Sequence, residues 1–138
     1  MSIDGVNYHV QIEDYAKSHY IKDFKKKYKK AWAVTEDAVI SLLTRIDQVV
    51  KKTSLTDTII TNGDESIVKL DFTVAGTKKS AKGSGNRAIV YVNRYSLECR
   101  ILLVYSKNHI SPPNETQKWK EIIKKNYSSI WRLFEQSV

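Results

Sequence analysis

The sequence predicts an α+β protein: an antiparallel sheet of about four strands, with an N-terminal helical hairpin and C-terminal helices packed on it. Three observations predict it. The apolar spacing switches between a period of two and a helical period several times along the chain. The resulting runs fall in the order β-α-α-β-β-β-α-α. And 138 residues, 41% of them hydrophobic, suit one sizeable core, so residues 1–138 are expected to form a single domain.

The first strand is "NYHVQIEDYA", where Tyr8, Val10 and Ile12 alternate with His9, Gln11 and Glu13. In "HYIKDFKKKYKKAW" the period changes. Ile21, Phe24, Tyr28 and Ala31 or Trp32 share one helical face, and lysines cover the rest. Thr35 is the expected cap of the next helix, "EDAVISLLTRIDQVVKK", with Glu36 and Asp37 in its first turn and Lys51 and Lys52 in its last. Its inward residues are Val39, Leu42, Leu43, Ile46, Val49 and Val50. "TSLTDTIITNGDES" reads as a loop with a turn at Asn62-Gly63 and room for a short strand at Thr58–Ile60.

"SIVKLDFTV" alternates as a strand, and the loop "AGTKKSAKGSGN" follows it. "RAIVYVN" and "LECRILLVYSK" are separated by so little that they form an antiparallel hairpin. Ile101, Leu102, Leu103 and Val104 are apolar at both parities, which predicts a central strand covered on both faces. Cys99 lies in this run and is read as a small buried hydrophobe. After Pro112-Pro113, Asn114 is the expected cap of a helix with Trp119, Ile122 and Ile123 inward, and "SSIWRLFEQ" is one more short helix.

Net charge is +8, and two segments supply the excess. Residues 17–30 hold seven lysines against Asp23. Residues 76–109 hold seven lysines or arginines against Glu98. Such concentration suits a polyanion, nucleic acid first, or an acidic protein.

Several classes are excluded. "MSIDGVNYHV" has no basic segment followed by an apolar run, so no signal peptide is expected. No apolar stretch approaches the ~20 residues of a membrane span. With one cysteine, the expected setting is cytoplasmic, with no membrane partner. A P-loop needs G-x-x-x-x-G-K-[ST] before a helix, whereas Lys82-Gly83-Ser84-Gly85 precedes a strand. One cysteine and the scattered His9, His19 and His109 make no zinc cluster, so neither metal nor cofactor is expected. There is no G-x-S-x-G, although spacing alone leaves a Ser-His-Asp hydrolase open.

What remains is a set of cations at one end of the sheet. Lys78, Lys79 and Lys82 are on the loop, Arg87 opens the next strand with Tyr91 on the same face, and Lys107 and His109 end the last strand. Glycine and serine let a backbone approach an anion and present N–H groups to it. An arginine at a sheet edge offers a planar fork for phosphate. The loop therefore reads as a holder for a phosphate of a nucleic-acid chain.

Over roughly residues 8–125, the chain resembles the RelE/HigB-like toxins of bacterial toxin–antitoxin modules. The likeness rests on Lys69, the loop Lys82-Gly83-Ser84-Gly85-Asn86-Arg87, the strand "AIVYV" and Tyr105-Ser106-Lys107, in that order. It implies a RelE-like fold and a ribosome-dependent mRNA endonuclease that inhibits translation, held inactive by a cognate antitoxin. It implies that Arg87 contacts the scissile phosphate, that Lys82 is a catalytic lysine of the loop, and that Lys107 is the basic group ending the last strand. Tyr105 and His109 fall where some members place further catalytic groups. Some relatives act on gyrase instead, and the fold does not choose between them.

The chemistry can be argued without the resemblance. Metal-free RNA cleavage needs a base for the 2′-OH, cations for the phosphorane and an acid for the leaving 5′-oxygen. Arg87 stays charged and can only stabilise. A free lysine, with a pKa of ~10.4, is a poor base at neutral pH, but neighbouring cations depress that value. Lys82 or Lys107 is therefore the expected base, and His109, which starts near about 6.5, or Tyr105 the acid. Lys25, Lys26, Lys29 and Lys30 on the helix, with Lys78 and Lys79 on the loop, are the expected RNA-binding residues. The alternatives are a non-catalytic nucleic-acid-binding domain on the same fold and a gyrase-directed, ParE-like toxin.

Overall fold

The structure, a computed structural model, describes residues 6–136. Of the ten residues on which the leader reading rests, 1–5 lie outside the described residues. Strands are β1 (His9–Ile12), β2 (Thr56–Asn62), β3 (Glu65–Phe72), β4 (Asn86–Asn93) and β5 (Glu98–Tyr105). Helices are α1 (Asp14–Ala16), a π-helical stretch Lys17–Ile21, α2 (Lys22–Tyr28), α3 (Lys30–Thr44), α4 (Ile46–Lys52), α5 (Ala81–Ser84), α6 (Glu115–Asn126) and α7 (Ser128–Gln136).

The class is α+β as expected, but the sheet is not the antiparallel one of about four strands. It has five, in the order β1-β5-β4-β3-β2, and β1 runs parallel to β5. The other neighbours are antiparallel. The helical hairpin between β1 and β2 does the work of a crossover, returning the chain to the far edge of the sheet. The fifth strand is β2, where only a short piece was expected at Thr58–Ile60. It extends over seven residues because Asn62 pairs with Glu65 around a turn in which Gly63 takes φ +63°, a conformation glycine adopts without steric cost.

The sheet is covered on both faces. Ile21, Phe24, Trp32, Leu43 and Ile46 pack on Leu70, Phe72, Ala88, Val90 and Ile101 on one side. Trp119, Ile123, Tyr127 and Leu133 pack on Ile67, Ile89, Leu102, Leu103 and Tyr105 on the other. The apolar run at both parities in β5 has a specific cause. Ile89 pairs with Leu103 but Val90 pairs with Ile101, so Leu102 is the extra residue of a bulge. Leu102 and Leu103 both face the C-terminal helices. Cys99 is buried, and burial pushes its thiol up to about 12, as a small hydrophobe would show.

Helix boundaries differ from the sequence reading. Thr35 caps nothing: α3 already starts at Lys30, after Lys29 breaks the chain direction with φ +52°. Thr35 is buried mid-helix, donates back to the Ala31 carbonyl and accepts from the Ala75 N–H. The following helix is broken at Arg45 rather than continuous. Asn114 stands at the start of α6 in a left-handed conformation, without a side-chain cap bond. The π-helical stretch explains how one helix serves two cores. Its wide turn buries the consecutive residues Tyr20 and Ile21, the first among the C-terminal helices' cluster and the second in the opposite one. This carries α2 over the end of β5.

Candidate functional site

At that end of the sheet, three segments meet: α2, the turn after β5, and the loop between β3 and β4. The loop is more built than its glycines and serines suggested. Residues Ala81–Ser84 form one helical turn, with Ser80 Oγ accepting the Gly83 N–H at 3.0 Å. Ser84 Oγ donates to the Phe72 and Ala81 carbonyls and accepts the Asn86 N–H. Thr73 Oγ1 donates to the Lys79 carbonyl. The serines thus take up backbone groups that were expected to face an anion.

Arg87 belongs to this internal scaffold. It sits opposite Asp71 on β3 and Tyr105 on β5, and its side chain is 14% exposed. Nε forms an ion pair with Asp71 at 3.0 Å and lies 4.0 Å from Glu115. The two terminal nitrogens donate to the carbonyls of Ala81, Asn86 and Lys82. Burial holds the Asp71 carboxyl above its ordinary value, and Arg87 opposes that shift. Tyr105 is fully buried and donates its hydroxyl to Glu115 at 2.6 Å. Burial first, and that hydrogen bond second, push its pKa well up. Lys82 is exposed on the helical turn above Asp71 and Arg87.

Lys107, Lys79 and His109 lie on the other side of the loop, along a two-lobed groove. One lobe, about 240 Å³, is lined by Lys79, Ser84, Asn86 and Lys107 from the loop side and by Lys27 and Tyr28 from α2. The second, about 280 Å³, contains Asp23, Phe24, Ser106 and His109. Lys27, Tyr28, Ser106 and Asn108 line both. The Lys107 stem lies against Gly85, where a Cβ would overlap it. Among the described residues, Lys27, Lys79 and Lys107 have no carboxylate within ion-pair distance. Lys25, Lys26, Lys29, Lys30 and Lys78 are exposed but line neither lobe. A more open hollow of about 410 Å³ near His19 holds none of the expected site residues.

His109 is held on both ring nitrogens. Nδ1 accepts the Ser106 N–H at 3.1 Å, so the neutral ring carries its proton on Nε2, which meets Asp23 at 2.9 Å. That hydrogen bond, and then the field of the imidazole, hold the Asp23 carboxyl below its ordinary value. Tyr20 and Phe24 pack against the ring at 5.2 and 5.7 Å. Ser106 Oγ is 3.2 Å from Nδ1, so a Ser-His-Asp line exists. It is a poor nucleophile arrangement: Ser106 and His109 share one turn, and the Ser106 N–H already occupies the nitrogen that would take the hydroxyl proton.

The structure therefore brings Lys79, Lys107 and His109 into one groove and leaves Arg87 and Tyr105 enclosed beside it. The sequence reading missed Asp23, Lys27 and Tyr28. A signal existed for the last two, since Tyr28 lies on the helical face set by Phe24 and Lys27 borders it. Among the described residues, no three His, Cys, Asp or Glu gather as a metal site would need, and no helix is long and apolar enough to cross a membrane.

No protein-family model matches the chain, and no curated protein matches it. Among solved structures, the chain is similar to the archaeal RelE-RelB complex from Pyrococcus horikoshii OT3. The identity is 15%, the match covers 74% of this chain and 97% of that one, and the TM-score is 0.49.

Proposed function

We propose that the protein is a RelE-like, single-domain endoribonuclease toxin that cuts ribosome-bound mRNA in the cytoplasm and is neutralised by a cognate antitoxin. The sequence resemblance across the loop, "AIVYV" and Tyr105-Ser106-Lys107 motivates it. The observation that carries it is the open groove presenting Lys27, Lys79 and Lys107 with no carboxylate to neutralise them among the described residues. A phosphate entering there would meet several unspent cations and a histidine of fixed tautomer.

In this reading Lys107, which lines the groove, acts as base, and His109 acts as acid once Nε2 exchanges Asp23 for substrate; Lys82, which lines neither lobe, only adds to the charge that draws RNA in. Arg87 serves by holding the loop through the Ala81 and Lys82 carbonyls, and it reaches phosphate only by giving up one of them. Tyr105, enclosed against Glu115, orients that carboxylate. The exposed lysines 25, 26, 29, 30 and 78 supply contacts to ribosomal RNA. A second reading, RNA binding without cleavage, is favoured by the same enclosure of Arg87 and Tyr105, since it removes two reactive groups from the groove.

A translation reaction programmed with one defined mRNA separates the two. The expected result is new 5′ ends on the mRNA that appear only when ribosomes and this protein are both present. Intact mRNA with normal translation would overturn the toxin reading, and intact mRNA with the protein bound to ribosomes would favour the second.

A further inference from the structure

One aromatic in the groove has no part in that chemistry. Tyr28 lines both lobes and is half-exposed. Phe24, buried, lies beside it with centroids 6.3 Å apart and planes 25° from parallel. Lys27 Nζ sits 5.2 Å from its ring centroid.

We propose that Tyr28 is a stacking platform for one unpaired base of single-stranded RNA, with the phosphates on either side of that base taken by Lys27, Lys79 and Lys107. The inference rests on the proposed function only in taking RNA as the occupant.

The groove continues on both sides of Tyr28, so a chain can pass over the ring rather than end at it. The unneutralised cations call for an anionic chain, and the aromatic calls for a flat apolar face beside the anion. A nucleotide has both. In a duplex each base face is covered by its neighbours, so an aromatic in a groove wall serves only a splayed, unpaired nucleotide. The platform is ordered in advance. It follows Phe24 by one helical turn, and that ring is packed against Trp32 and Phe72, so little side-chain freedom is lost on binding. Lys27 marks where the ligand goes. An exposed cation over an aromatic face is a weak contact beside a base stack, so an arriving base displaces the ammonium from the ring and leaves it free for the adjoining phosphate.

The test uses the whole chain and a 2′-O-methyl RNA hexamer with a central 2-aminopurine, which lacks the 2′-OH nucleophile and so cannot be cut. Wild type should bind it and quench the 2-aminopurine. Tyr28→Phe should keep affinity within about twofold, because stacking needs the ring and not the hydroxyl. Tyr28→Leu should weaken binding roughly 5- to 150-fold and abolish the quenching. Lys79→Gln should lower the log–log salt slope by about 0.7 and leave the quenching in place. A photoreactive 5-iodouridine at the central position should label Tyr28 in the wild type, a readout that does not depend on any variant folding. Undiminished binding by a stably folded Tyr28→Leu overturns the proposal. So does labelling confined to other residues, equal affinity for the duplex, or binding of a poly-glutamate peptide in place of the RNA. No ribosome and no cleavage enter these measurements, so failure of the endonuclease reading leaves this result standing on its own.

Discussion

Arg87 and Lys107 lie on either side of the 80–85 turn, and their surroundings are opposite. Arg87 is 14% exposed, faces Asp71 at 3.0 Å and donates to three backbone carbonyls. Lys107 is exposed, has no carboxylate partner among the described residues, and rests its stem across Gly85. The carboxylates of the two sides are shifted in opposite directions: Asp71 up, by burial, and Asp23 down, by the His109 hydrogen bond. Two cations of equal formal charge thus do different work. One is spent on making the loop a fixed shape, and the other remains available to an incoming anion. A charge count cannot separate these roles, but the neighbours can.

Arg87→Ala is the largest expected break in this contrast. It strands a buried carboxylate and three carbonyls, and removing one partner of an enclosed pair is costly because the other stays behind. We expect a loss of roughly 2–4 kcal/mol, or a melting temperature lower by about 10 °C. Urea denaturation of the variant measures it. A change within about 0.5 kcal/mol would place Arg87 among ordinary surface groups and return it to the list of free phosphate ligands.

Gly85→Ala comes next and acts on both sides at once. Gly85 has φ +75°, and the added Cβ would overlap the Lys107 stem. The left-handed conformation and the displaced lysine together should cost about 1–2 kcal/mol. RNA affinity should fall beyond what the loss of stability explains. A variant that keeps its RNA affinity would show that Lys107 works equally well from another position.

Why did the sequence not separate the two sides? Asp71 and Arg87 face each other on adjacent strands, but alternation marks each strand without giving the register between them, so from sequence Arg87 reads as a phosphate ligand. Asp23 and His109 are 86 residues apart, and nothing local points from one to the other. They meet because the π-helical stretch aims α2 across the end of β5, and a single widened turn has no sequence signature. The parallel pairing of β1 with β5 is equally silent, since apolar alternation marks a strand but not its neighbour. Thr35 misled for a different reason. Thr next to Glu-Asp is a sound cap signal, but its hydroxyl was claimed by Ala31 and by Ala75 on a distant loop. The lysines of α2 were visible as a group. Which of them enters the groove depends on helix rotation, and only Lys27 does.

The smallest expected effects are in pH dependence, and their signs oppose each other. Asp23 has a lowered folded-state pKa. Its contribution is present above the unfolded value of about 3.9 and is lost as pH falls through the folded value. Asp23→Asn should therefore make the acid limb of the stability curve shallower below about pH 4. Asp71 has a raised value, so the folded state takes up its proton before the unfolded chain does, and acidification through that window relieves a cost. Asp71→Asn loses this relief and should show a steeper acid limb. Denaturant midpoints across pH 3–7 would give both curves, and the same sign for both would erase the distinction between the two sides.

The most direct test is mRNA cleavage by the double variant Lys79→Gln, Lys107→Gln, in a ribosome-containing reaction alongside a melting curve. Both residues are exposed, so the variant should melt with the wild type to within about 0.5 kcal/mol. If the groove cations hold the reacting phosphate, cleavage should fall roughly 10²-fold or more. A folded double variant that cuts ribosome-bound mRNA at the wild-type rate would contradict the assignment of the groove as the site.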